Sequence, residues 1–194
     1  AFFLANSSQT YGLRATTALP LAPKIKLNLA ASYARQSDYG DNPFNYAADY
    51  IAAEAGVTFG GLGVMAGYEL LGADDSVPGG RAVQTPMATL HKFNGWADMF
   101  LTTPQTATYA GLQDIYGGVS YKFDGIKALP GLNAGVTYHQ YDSDTGGVNY
   151  GNEWNAQAGF KLGRVSLLAK YADYKAKSFG ADTTKLWLQA EFAY

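Results

Sequence analysis

Ten ionisable side chains recur at alternate positions of strand-like segments: Arg14, Lys26, Glu54, Glu69, Asp114, Lys122, Glu153, Lys161, Lys170 and Glu191. Each shares its face with polar or small neighbours while the opposite face is apolar, so charge lines one surface and hydrocarbon the other. Opposite charges on neighbouring strands can stiffen a wall by neutralising each other, or set the field that a passing solute meets; both roles can hold at once. Catalysis fits poorly. His91 and His139 are the only histidines, and no serine–histidine–carboxylate spacing suits a hydrolase. The absence of cysteine rules out a disulfide scaffold and a thiolate metal site. Asp38, Asp41, Asn42 and Asn45, or Asp142 with Asp144, could offer oxygens to calcium, but they match no EF-hand pattern and read as solvated loop residues. The expectation is therefore a protein with no enzymatic activity, no metal and no cofactor.

The elements that position these charges all show a period of two. The last segment is the plainest case: Leu186, Leu188, Ala190, Phe192 and Tyr194 alternate with Lys185, Trp187, Gln189 and Glu191. The same pattern fills 10–19, 24–33, 50–59, 64–70, 114–123, 132–139, 153–162 and 165–171. This predicts about nine strands, near the roughly 9–11 residues a tilted strand needs to cross a bilayer. Three charges, Arg35, Asp49 and Asp173, take the apolar parity, but they stand at strand ends, where a lipid-facing charge costs only about 0–1 kcal/mol.

Composition agrees. Hydrophobic residues make up 47% of the chain, yet mean hydropathy is −0.14, and no run approaches the roughly 18 apolar residues of a spanning helix. Fifteen tyrosines suit surfaces that are apolar at one end and wet at the other. A net charge of −2 argues against nucleic acid. Residues 1–8 lack the basic start and apolar core of a signal peptide.

Alternation alone also fits a soluble barrel or sandwich with its faces reversed. Two features favour lipid outside. Connections alternate between short (20–23, 60–61, 124–131, 163–164) and long (36–45, 72–111, 142–151, 175–183), as periplasmic turns and external loops do. Apolar-face aromatics also sort by height. Phe59, Phe123, Phe160, Phe192 and Tyr194 lie at the short-turn end, and Tyr33, Tyr68, Tyr138, Trp154 and Tyr171 at the long-loop end. Two such girdles match two bilayer interfaces. The sequence thus predicts an all-β, antiparallel transmembrane β-barrel, one domain over 1–194, in a Gram-negative outer membrane. Outer-membrane lipids and lipopolysaccharide would surround it, and the terminal strand looks like a signal for the barrel-assembly machinery. Counting strands back from the end puts residue 1 outside the cell, so the chain reads as the C-terminal part of a larger barrel; a complete barrel of eight strands is the weaker alternative.

The insertion Gly72–Gly111 is too long for a hairpin loop and rich enough in apolar residues to fold. Leu90, Phe93, Trp96, Met99 and Phe100 are spaced for a short amphipathic helix interrupted by Gly95. Folded into the lumen, Leu90, His91, Lys92, Phe93, Trp96, Asp98 and Phe100 would constrict it, with Trp96 either a platform for stacking a sugar or, the better fit, an anchor of the loop to the wall.

Residues Leu90–Phe100 with Gly111–Phe123, and upstream Tyr33–Pro43, resemble the C-terminal region of alginate-export-type outer-membrane porins. The resemblance implies about sixteen to eighteen strands and passive transport, in the best-known member of an anionic polysaccharide through a strongly basic pore. This chain departs from that pore. Arg14, Lys26, Lys122, Lys161, Arg164, Lys170 and Lys185 are interleaved with Glu54, Glu69, Asp114, Glu153 and Glu191. The expected role is passive diffusion of small or anionic hydrophilic solutes, sugars or oligosaccharides among them. The rival is a non-conducting structural or adhesion barrel.

Overall fold

The computed structural model describes residues 2–4, 8–85, 94–100 and 109–193. Its regular elements are all strands: β1 (Phe2–Leu4), β2 (Ser8–Ala22), β3 (Ile25–Asp38), β4 (Ala47–Phe59), β5 (Leu62–Leu71), β6 (Ala73–Asp74), β7 (Arg81–Ala82), β8 (Leu112–Lys122), β9 (Asn133–Asp142), β10 (Asn149–Leu162), β11 (Val165–Ala176) and β12 (Thr183–Phe192). Nine of them are long and pair antiparallel with their sequence neighbours in one continuous sheet. The sheet is open, with β12 at one edge, and β1 covers only the first residues of β2 at the other. The short pair β6–β7 belongs to the long insertion between β5 and β8.

Unbroken pairing carries the alternation from strand to strand, so side chains form rows across the sheet. On the outward face Leu13, Leu29, Ile51, Val57, Val64, Ile115, Val119, Val136, Leu186 and Leu188 are exposed. The upper girdle holds Tyr33, Tyr68, Tyr138, Trp154 and Tyr171, with Tyr33 opposite Ile51 and Tyr138 opposite Trp154. The rings of Tyr138 and Trp154 meet at 4.9 Å. At the opposite end lie Phe59, Phe123, Phe160 and Phe192, with Phe123 edge-on to Tyr121 at 4.8 Å. Tyr194 lies outside the described residues.

The outward charges are paired rather than bare. Arg35 bonds Asp49 at 2.7 Å, and the Tyr33 hydroxyl donates to the same carboxylate at 2.9 Å. Asp173 accepts from Lys175 at 3.1 Å and from the Thr184 hydroxyl at 3.0 Å.

Two expectations about connections are corrected. The first reversal is the two-residue turn Pro23–Lys24, with Lys24 at φ 69°, rather than Pro20–Pro23. Pro20 sits inside β2, where its missing donor is tolerated beside a register irregularity and away from β1. Loop lengths also do not alternate strictly, because strands run further than their apolar pattern. The connection 123–132 is longer than 143–148 or 177–182. Tyr150 is skipped in the β9–β10 register, a bulge that tucks its ring inside the top of the sheet.

A loop docked on the lumen wall

Inward rows hold the candidate site. One row runs Glu54–Gly67–Tyr116–His139–Glu153–Tyr174 across β4 to β11. The row above it runs Arg14–Ser32–Ala52–Glu69–Asp114–Tyr141. Glycine at 67 lets the Tyr116 ring lie flat across its strand, since a Cβ there would overlap that ring. The Tyr116 hydroxyl thereby reaches Glu54 at 3.1 Å. His139 stacks between Tyr116 and Tyr141 at 5.4 and 5.6 Å and sets Nδ1 3.0 Å from both oxygens of Asp114. The Tyr50 hydroxyl donates to Glu69 at 2.7 Å.

Segment 94–100 of the insertion lies over these rows. Two successive amides, Trp96 N and Ala97 N, donate to Oε1 of Glu153 at 2.5 and 2.8 Å. The Asn94 side-chain amide donates to Glu69 at 2.9 Å and, more weakly, to Asp114 at 3.5 Å. Lys185 of β12 bonds Asp98 at 2.7 Å, and the Lys170 ammonium sits 3.9 Å from the Trp96 ring centre. Hydrogen bonds to charged groups contribute about 1.5–3 kcal/mol each, so these contacts offset much of the cost of ordering the segment. Phe100 completes the dock in a cluster with Tyr141, Tyr150, Tyr174 and Phe179.

Asn94 reaches β5 and Asp98 reaches β12, so five residues of the insertion, through their side chains, tie together the two ends of a run of six strands.

Left-handed residues at Asn94, Gly95 and Asp98 account for a failed expectation. Residues 94–100 are bends and turns, not the C-terminal half of a helix. The wall supplies the acceptors that a helix would have supplied internally, and Asn94-Gly95 is a turn dipeptide. Leu90, His91, Lys92 and Phe93 lie outside the described residues.

The insertion is pinned at its root as well. Asp144 accepts from Ala73 N at 2.8 Å, while Asp144 N and Thr145 N donate to Ala110 O. Gln36 acts as a strand surrogate, giving its amide to Gln84 O at 2.9 Å and accepting Gln84 N at 2.6 Å. The Tyr46 hydroxyl also donates to Gln36, and burial pushes that phenol up to about 12. Bonds from Ser76 and from Ala47 N hold Asp74 below the usual carboxylate range.

The ten predicted lumen charges therefore divide. Glu69, Asp114 and Glu153 lie beneath the loop, and Lys170 against it. Arg14 and Glu54 border a cavity of about 310 Å³ beside Trp96, Tyr50, Tyr116 and His139. Lys26, Lys122, Lys161 and Glu191 stay exposed on lower rows, away from the dock. The sequence pattern missed Asn94, Tyr50, Tyr141 and Gln36, whose roles depend on which strands meet. No group of histidine, cysteine or acidic residues among the described residues is arranged to hold a metal.

Comparison with solved structures settles the architecture. OprD from Pseudomonas aeruginosa superposes with a TM-score of 0.71 over 96% of this chain, at 15% identity. The fold is that of an outer-membrane porin. OpdL of the same organism aligns over 97% of the chain at TM-score 0.64 and 19% identity, and OpdK, solved with vanillate, over 98% at 0.66 and 15%. The chain spans about half the length of these structures: 52%, 53% and 50%. The expected link to alginate-export porins finds no support in these matches, which are OprD- and Occ-type porins. No family model matches the sequence, and no curated protein matches it.

Proposed function

We propose that this chain forms one wall of an outer-membrane channel, closed by further strands, through which small hydrophilic solutes diffuse passively. The observation that carries this reading is the loop segment bonded to the lumen face by Glu69, Glu153 and Lys185. An inserted loop narrows a lumen without filling it, since the rows below it carry Gly56, Gly63, Gly118, Ser120 and Gly135 beside the larger Met65 and Thr137. Closure by further strands follows from chemistry: a strand edge exposed to hydrocarbon would leave its backbone groups unsatisfied.

The charges a solute meets directly are fewer than those counted in the sequence. Arg14, Lys26, Lys122 and Lys161 are exposed against Glu54 and Glu191, while Glu69, Asp114 and Glu153 stand behind the loop and still contribute to the field. This mixed lining supports small hydrophilic solutes, anions among them, and vanillate, present with OpdK, is a small solute of that kind.

Single-channel recording in planar bilayers tests the proposal. The full-length protein should conduct, and deletion of residues 85–104 should raise its conductance roughly twofold or more by removing the constriction. An intact protein that inserts but passes no current would overturn the channel reading.

A further inference from the structure

We infer that Glu153 is a positioning residue for transport: this one wall carboxylate sets the aperture by fixing where the loop backbone crosses the lumen. The inference rests on the channel reading above and names the group responsible for its constriction.

Three observations converge on it. Glu153 is 0% exposed, and its Oε1 accepts two successive loop amides, Trp96 N and Ala97 N. Two adjacent backbone donors aimed at one oxygen fix both the position and the direction of the chain, which a single side-chain contact would not. Next, the loop approaches at Gly95, where φ is +86° and a Cβ would overlap both the Tyr141 hydroxyl and Oε2 of Glu153. Backbone and wall are therefore as close as they can be at this point. Finally, Asn94 and Asp98 on either side are also left-handed, at φ 53° and 61°. Asparagine and aspartate are the side-chain-bearing residues that tolerate this conformation best, so the loop's own sequence suits it to the path that Glu153 fixes.

The other contacts flank this point. Asn94 bonds Glu69 on one side and Asp98 bonds Lys185 on the other, each through flexible side chains. Neither specifies the backbone between them.

The test compares Glu153→Ala, Glu153→Gln and Gly95→Ala in the full-length protein, by single-channel conductance and by protease cleavage between residues 85 and 104. Glu153→Ala should raise conductance about 1.5-fold or more, widen open-channel noise and expose the loop to cleavage. Glu153→Gln keeps an oxygen for both amides and should recover most of the restriction. Gly95→Ala attacks the same contact from the loop side without altering β10, and should reproduce the alanine result even where Glu153→Ala fails to fold. A conducting wild type with Glu153→Ala or Gly95→Ala at wild-type conductance would overturn the inference. A wild type that never conducts would overturn the channel reading instead.

Discussion

The lumen wall beneath the loop and the wall just below it belong to the same strands, yet they are built on opposite principles. Beneath the loop stand Glu69, Asp114, Tyr141, Glu153 and Tyr174, large and bonded, several of them fully buried. One or two rows down, the same strands carry Gly56, Gly63, Gly118, Ser120 and Gly135 among the larger Met65, Thr137 and Gln157. Alternation is equally regular in both. What differs is whether a partner lies over the wall. Where one does, carboxylates serve as hydrogen-bond acceptors out of a solute's direct reach; where none does, small side chains are common and the few charges stay wet. A solute in such a pore thus touches fewer charges than face its lumen.

Substitution at two glycines breaks this contrast most sharply. Gly67→Ala places a methyl on the Tyr116 ring, forcing it off Glu54, and should cost about 1–3 kcal/mol in unfolding from detergent. At Gly56 an added Cβ meets nothing closer than 3.5 Å, so Gly56→Ala should shift stability by no more than about 0.5 kcal/mol. Equal effects at the two sites would erase the distinction between a packed and an open wall.

A smaller effect sharpens the electrostatic side. Lys122 is exposed and outside the dock, so Lys122→Glu should move the reversal potential in a salt gradient toward cations. The shift should shrink at high salt, where the screening length falls to about 3 Å at 1 M. A potential that ignores this substitution would mean that the lower rows do not line the conducting path.

Much of this molecule is legible in its sequence, for a physical reason. A strand between lipid and water must alternate, so Leu186 and Leu188 against Lys185 and Trp187 declare their faces without knowledge of any neighbour. Aromatic girdles are equally local, because height along a strand is position in sequence. The site is another matter. That Glu153 meets Trp96 and Ala97, 57 and 56 residues away, follows from the insertion folding back over the sheet and not from any spacing. The helical reading of 90–100 fails in its described part for the same cause: apolar spacing reports that side chains will be buried, not what will satisfy the backbone. Asn94-Gly95 was the available sign of a turn, and Gly95 read only as an interruption undervalues it. Nor does any pattern show which lumen-facing carboxylates a distant loop will claim.

The most direct test of the account is to tie the loop to the wall. The chain has no cysteine, so Asp98→Cys with Lys185→Cys gives a clean pair where the native side chains meet at 2.7 Å. In membranes this pair should join through a short bismaleimide in high yield, and the joined protein should conduct as the wild type does. A channel that conducts normally while the two cysteines never join would contradict the docked loop, and with it the account of how this lumen is narrowed.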